Sequence, residues 1–286
     1  MRDDVRRMLR DERIGVQGVI AMQPRSVRFQ LSNPADAQKI LPKLRALGQS
    51  SSAALLGAAG QPTVEVTSTD GGVVQVAVTE AGVTEKVRRA VDQSIEVLRR
   101  RIDASGMKDP TIQRQGADRI LVQVPGLQDP QQLKDLLGTT AKLEFRLVAQ
   151  PGSDPADIEE LEQTEGGRIP VEKQVMVQGE DLTDAQPGFD QRNGEPVVNF
   201  RFNLRGGQKF AEVTTRNVGK PFAIVLDNKI ISAPRIISPI TGGSGQISGR
   251  FTVEQANNLA ILLRAGALPA KLTTIEELTV GPGLGQ

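Results

Sequence analysis

Two helix starts in this chain use one device. Asn33-Pro34 and Asp129-Pro130 each put a side-chain acceptor at the cap and proline at the first helical position. Proline's missing N–H is one that a helix cannot pair there in any case. Each start sits at the same point of a longer order. Before the first come a short charged helix over 3–13 and two strands, Val16–Met22 and Ser26–Leu31, turning at Gln23-Pro24-Arg25. After it, Ile40, Leu41, Leu44 and Leu47 mark a helix that Pro42 is expected to kink or split. A small-residue loop, Gln49–Gly60, then leads to a hairpin of Thr63–Ser68 with Val73–Val78.

Before the second start lies a long helix carrying Val87, Val91, Ile95, Leu98 and Ile102 on one stripe and stopping at Gly106. Strands Thr111–Arg114 and Arg119–Val124 follow it. After the start come Gln132 at the reciprocal capping position, Leu133, Leu136 and Leu137 on one face, Gly138 as a stop, and a strand Ala141–Val148. Helix–strand–strand–helix–strand therefore recurs. That order predicts an α+β fold of ferredoxin-like, split βαβ modules.

Residues 149–205 break the pattern with Pro151-Gly152, Gly166-Gly167 and Pro187-Gly188 between short strand candidates at Glu172–Val177 and Pro196–Leu204. A helix near Gly207–Asn217 and a hairpin of Phe222–Leu226 with Lys229–Ile231 about Asp227-Asn228 continue the segment. At the end, Thr252 and Gln255 form a capping box before Ala256, Leu259, Ala260 and Leu263, and Gly266 stops that helix. Leu272–Val280 is expected to close the sheet opened near residue 80. The expected division is 1–79 as an N-terminal module, 80–148 plus 251–286 as a base, and 149–250 as an inserted, hairpin-rich head.

The chain has no His and no Cys. Imidazole- or thiolate-based zinc sites and Ser–His or Cys–His nucleophiles are thereby excluded. Paired carboxylates remain at Glu159-Glu160, Glu180-Asp181 and Glu276-Glu277, but neighbours on a strand point to opposite faces, so Glu276-Glu277 is a poor acid–base pair. The GGSGQISG run at 242–249 misses the phosphate-loop spacing, since Ser248 stands where the third glycine belongs. Arg99-Arg100-Arg101 spreads around a helix and reads as a solvated helix end. Lys+Arg (35) nearly balances Asp+Glu (34), and Phe is the only aromatic, which argues against nucleic acid as a partner. The expectation is a non-enzyme with no metal and no cofactor. No run of about 18 apolar residues is present, so no transmembrane helix is expected.

Phe222, Ile224, Ile230, Ile231, Ile236 and Ile237 concentrate apolar surface in the head. They read either as core or as a groove able to hold an extended polypeptide.

Several runs in one order carry a resemblance. They are Ile95–Leu98 with Arg100 and Ile102, Gln113–Ile120, Val124-Pro125-Gly126, Leu143–Leu147, Gly219-Lys220-Pro221, Leu262–Leu268 and Gly281–Gly285. Together they resemble the first periplasmic domain of the SecD/SecF protein-export family, strongly over 80–285 and more loosely before. The resemblance implies an ectodomain on the periplasmic side of the bacterial inner membrane, attached through helices absent from this chain. It implies SecF, other Sec translocon subunits and unfolded preprotein as partners. It also implies late-stage export aided by head-versus-base motion coupled to the proton-motive force; a static scaffold bracing other subunits is the alternative. On that reading the six apolar residues above contact preprotein, and hinges lie at Val148, Gly152, Gly249 and Phe251.

Overall fold

The structure, a computed structural model, describes residues 1–48, 61–127 and 129–278. The expected Gln49–Gly60 loop and the Gly281–Gly285 run lie outside these residues. The chain forms two compact units: Met1–Val91 with Gly116–Arg119, and Asp92–Gln115 with the described residues from Ile120 onward.

In the first unit, β1 (Val16–Gln23), β2 (Ser26–Leu31), β3 (Val64–Ser68) and β4 (Val73–Val78) make an antiparallel sheet ordered β1-β2-β4-β3. Helix α2 (Ala37–Ala46) joins β2 to β3, and β4 fills the gap between them, so β2–α2–β3 is a split βαβ unit. The Asn33 side chain accepts from the Ala35 N–H, as its place before Pro34 predicts. Helix α2 runs through Pro42 as one continuous element rather than splitting there. Helix α1 (Arg2–Asp11) buries Val5 and Leu9, four residues apart and hence on one face. These pack with Ile40 and Leu44 of α2 against Ile20, Val27, Phe29, Leu31, Val74 and Val76 of the sheet. Both helices thus cover one face, giving two layers around one core.

The second unit departs from expectation. Helix α3 (Glu80–Ser105), which belongs to this unit from Asp92 on, precedes a hairpin of β5 (Thr111–Gln115) and β6 (Arg119–Gln123), whose turn Gly116–Arg119 belongs to the first unit and whose strands pair only with each other among the described residues. Helix α4 (Pro130–Gly138) follows, with Asp129 accepting from the Gln131 N–H. Then β7 (Leu143–Val148) leaves the presumed base sheet altogether. It closes a five-stranded barrel with β8 (Ile158–Gln163), β9 (Arg168–Gln178), β12 (Phe222–Leu226) and β13 (Lys229–Ser232), in the order β12-β13-β8-β9-β7. The reason is in β7 itself. It is buried on both faces from Leu143 to Leu147, and such a strand needs cover on each side, whereas the half-exposed β5–β6 hairpin offers little.

A second sheet of β10 (Leu182–Phe189), β11 (Pro196–Phe202) and β14 (Ser244–Ile247) completes the unit, with helices α5 (Leu204–Arg216) and α6 (Val253–Ala265). The capping box of Thr252 and Gln255 forms as expected. Helix α6, however, packs on β10 and β11, so the boundary expected at residue 250 cuts through one packed layer. Residues 272–278 of the expected closing strand form no strand; Leu272 instead lies half-buried against α3, α4 and the β5–β6 hairpin.

Candidate functional site

Five phenylalanines bind the barrel to the second sheet. Phe145 of β7 has ring centroids 5.5 Å from Phe200, Phe202 and Phe210, and Phe210 lies 5.8 Å from Phe222. Mostly tilted or edge-on, these rings satisfy the aromatic quadrupole while filling the space. Alternation puts Leu143, Phe145 and Leu147 of β7 into that core with Ile224, Ile236, Ile247 and Leu259. The opposite face of β7 holds Glu144 and Arg146, opposite Val225 and Ala223 of β12. Inside the barrel these two pair with each other, and outward they bond to Lys142 and Glu159. Burial pushes the Glu144 carboxyl up, but bonds from Lys142 and Arg146 outweigh it and hold the group below its ordinary range. Arg146 is held above its ordinary range because Glu144 and Glu159 outweigh the burial that opposes its charge.

The body of the barrel and second sheet joins α3, α4 and the β5–β6 hairpin through two short crossings. One follows α4 at Thr139–Lys142; the other follows α6 at Gly266–Leu268. Arg101, which is 0% exposed, reaches both. Its guanidinium donates to the carbonyls of Leu136 (2.7 Å), Thr140 (3.1 Å) and Gly266 (3.2 Å), and to that of Thr139. These include carbonyls that the end of α4 leaves unpaired. The crossings also bond to each other, the Leu268 N–H donating to the Thr140 carbonyl at 2.9 Å. Asp227, at φ 49° in the β12–β13 turn, accepts from the Ala141 and Lys142 N–H groups at 2.9 Å each. Burial pushes Arg101 down to about 10, opposed by the charge of Asp227. The reading of Arg99–Arg101 as a solvated end is corrected here: Arg99 and Arg100 are exposed, Arg101 is not. The missed signal was phase, since Arg101 shares a stripe with Ser94, Val97 and Leu98, all buried.

A cleft of about 240 Å³ opens on this body. Ile230, Ile231, Ser232 and Ala233 line one side, Ser248, Gly249 and Arg250 another, and Gln163, Glu165 and Glu195 the rim. Arg250 Nε lies 3.4 Å from a Glu165 carboxylate oxygen, an exposed pair.

The six apolar residues divide unevenly. Phe222, Ile224, Ile230 and Ile236 are core, which removes them from any contact surface in this conformation. Their alternation packs two of them, Phe222 and Ile224, against the phenylalanines. Ile231 is half-buried in the cleft wall and Ile237 is 84% exposed. The expected hinges also meet the packing. Val148 pairs with Val171 inside the barrel and donates its N–H to the Pro221 carbonyl, and Phe251 lies half-buried against the phenylalanine core. A hinge at Val148 would tear the barrel interior, and one at Phe251 the phenylalanine core. Gly152 is exposed, while Gly249 presses on the Ile231 carbonyl so closely that a Cβ would stand 2.8 Å from it.

Among the described residues no helix is long and apolar enough to cross a membrane, and no cluster of three or more acidic groups is placed to hold a metal.

Two family models match this region. "SecDF, P1 head subdomain" covers residues 157–270, and "Protein translocase subunit SecDF, P1 domain, N-terminal" covers 91–150. Among curated proteins, the protein translocase subunit SecD of Rhodobacter capsulatus is 44% identical over 292 residues, spanning 99% of this chain and 52% of that protein. Its counterpart in Acetobacter pasteurianus is 48% identical over 223 residues, spanning 76% and 43%. The chain thus spans about half the length of the curated relatives it matches. A solved structure of SecDF, a membrane component that enhances protein export, is 35% identical with a TM-score of 0.57, covering 68% of this chain and 94% of that one. SecDF in a super-membrane-facing form gives 36% and 0.57, covering 66% and 28%.

Proposed function

The chain belongs to the SecD family of protein translocase subunits, and from that premise we propose that it grips unfolded preprotein on the periplasmic side during late-stage export. It does so as a non-enzymatic domain, attached to the membrane through helices outside this chain and working beside SecF and other translocon subunits. The observation carrying this reading is the match of the head model to 157–270, which takes in the body bounded by the two crossings apart from β7 and its Phe145, which fall in the N-terminal model at 91–150. Head motion, coupled to the proton-motive force through the membrane part, pivots at Thr139–Lys142 and Gly266–Leu268. On this reading the hinge is the Arg101 joint and not Val148 or Phe251, which lie within the barrel interior and the phenylalanine core. Of the six apolar positions, Ile237 and Ile231 remain as contacts for preprotein.

The test is photo-crosslinking from Ile237 and Ile231 in the full-length protein to an arrested preprotein. Crosslinks are expected from both, and none from either removes the reading. A second arm bridges Met107→Cys and Leu226→Cys, from the two sides of the joint, with a short bis-maleimide; the chain has no cysteine of its own to interfere. Loss of export stimulation supports pivoting. Undiminished stimulation returns the domain to a static scaffold.

A further inference from the structure

The second sheet has two edges, and only one is guarded. On the β10 side, α6 packs alongside, and Arg264 Nη1 donates to the Ala185 carbonyl at 3.3 Å. The edge of the first unit's sheet at β1 is interrupted by a register shift between Gln17 and Ala21, with Gly18 at φ 72°. Such covers and bulges are how proteins keep strand edges from recruiting other chains. On β14 there is no bulge, no proline and no charge from Ser244 to Ile247.

Register identifies the groups left over. The Phe202 N–H donates to the Gly243 carbonyl at 2.8 Å, so Gly243 faces β11. Alternation then turns Gly245 and Ile247 toward β11 as well, while Ser244 and Gln246 point their N–H and C=O groups away from it. Those outward groups have no protein partner among the described residues, and both side chains are exposed. Directly beyond, Ser248, Gly249 and Arg250 run into the cleft walled by Ile230 and Ile231.

We propose that β14 takes up an extended segment of an unfolded client as an added strand, with one client side chain seated in the adjoining cleft. This rests on the client-binding reading above and names its chemistry. A row of outward N–H and C=O groups is matched only by another extended backbone. Backbone recognition ignores sequence, which suits a site that must hold whatever chain passes. The rim, carrying Glu165, Glu195 and Arg250, likewise favours no one sign of charge in the client.

The probe is reduced, carboxymethylated α-lactalbumin, a permanently unfolded chain, added to the 286-residue protein and to the full-length subunit. Hydrogen exchange at Ser244 and Gln246 is expected to slow on binding. Gln246→Pro removes an N–H that bonds to nothing in the fold and crowds the edge, so it folds as wild type yet loses affinity about fivefold or more. Gln246→Ala changes the side chain alone and keeps affinity within about twofold. Binding unchanged in Gln246→Pro, or lost equally in Gln246→Ala, overturns the proposal. If Gln246→Pro misfolds, the wild-type exchange pattern decides, and absence of protection at β14 overturns it. Wild type that binds the probe without such protection refutes the edge alone; wild type that fails to bind refutes client gripping itself. Self-association abolished by Gln246→Pro would make a second copy the occupant and overturn it too.

Discussion

Replacing Arg101 with methionine keeps the apolar stem and deletes the guanidinium. Four carbonyls then lose charged donors: Leu136, Thr139, Thr140 and Gly266. The bond to Leu136 is buried, so that oxygen pays a desolvation penalty of ~1–3 kcal/mol. The other three are partly buried and regain some water, at ~0.5–1 kcal/mol each. Methionine offsets little, because Arg101 already hid its stem, while the cost of burying its charge is recovered in part. The sum is about 3–5 kcal/mol, which for a unit of this size lowers the melting midpoint by roughly 10 °C. With no Trp or Tyr in the chain, unfolding is followed by far-UV circular dichroism, and exchange across 133–142 reports the joint locally. Arg101→Lys, with three donors on a point, should recover only part of the loss. A methionine variant within about 1 kcal/mol of wild type would refute the reasoning, because water would then satisfy the α4 carbonyls unaided.

Other positions test other links. The Glu144 carboxyl is held below its ordinary 4.5, so its stabilisation is complete above that value and drains away as pH falls below it through the lower folded value. Glu144→Gln should therefore lower the urea midpoint at about pH 7 and flatten the further loss toward about pH 3; an unchanged slope would remove Glu144 from the acid response. Asp227→Ala deletes two bonds to the Ala141 and Lys142 N–H groups and leaves alanine at positive φ, costing ~2–4 kcal/mol by denaturant titration. Gly245→Ala would set a Cβ 2.5 Å from Phe200 Cζ, and the packed ring has little room to yield, so thermal melting should show a loss of ~1–3 kcal/mol.

Local signals in the sequence suffice where a feature depends on residues close along the chain. Both cap-and-proline starts, the Thr252–Gln255 box and the Asp227-Asn228 turn all form, because each depends on residues within one turn of chain. Partner choice for strands was not legible. A recurring order of helices and strands suggested a second split βαβ module, but β7 pairs with β9 and β12 instead. The alternation Leu143-Glu144-Phe145-Arg146-Leu147 reads as a strand with one buried face, and nothing in it marks Glu144 and Arg146 as a pair buried on the other. β8 carries Glu at three of its six positions and β10 carries Asp184, Gln186 and the Pro187-Gly188 pair, so neither shows a clean apolar alternation. The six apolar residues were recognised as a group but not sorted. Strand parity sends Phe222 and Ile224 inward, whereas Ile237 lies on a loop where no period applies.

The two polar constructions in the second unit differ in what breaking them costs, and this orders the motions open to the domain. At the joint, one buried guanidinium ties carbonyls of both crossings, which also bond to each other. Separating those groups exposes unpaired buried oxygens and an uncompensated buried cation, a loss of several kcal/mol. At the cleft, the exposed Glu165–Arg250 pair is worth ~0–1 kcal/mol, so thermal motion parts it readily. On the proposed function, a body that lets a client in and out would open at the cleft while the joint holds. On the same proposal, rotation that keeps the crossings bonded to each other would move the cleft as a whole. Arg101→Met should uncouple the two: client binding at β14 persists, and export stimulation by the full-length protein falls. Equal loss of both would mean that the joint merely holds the fold.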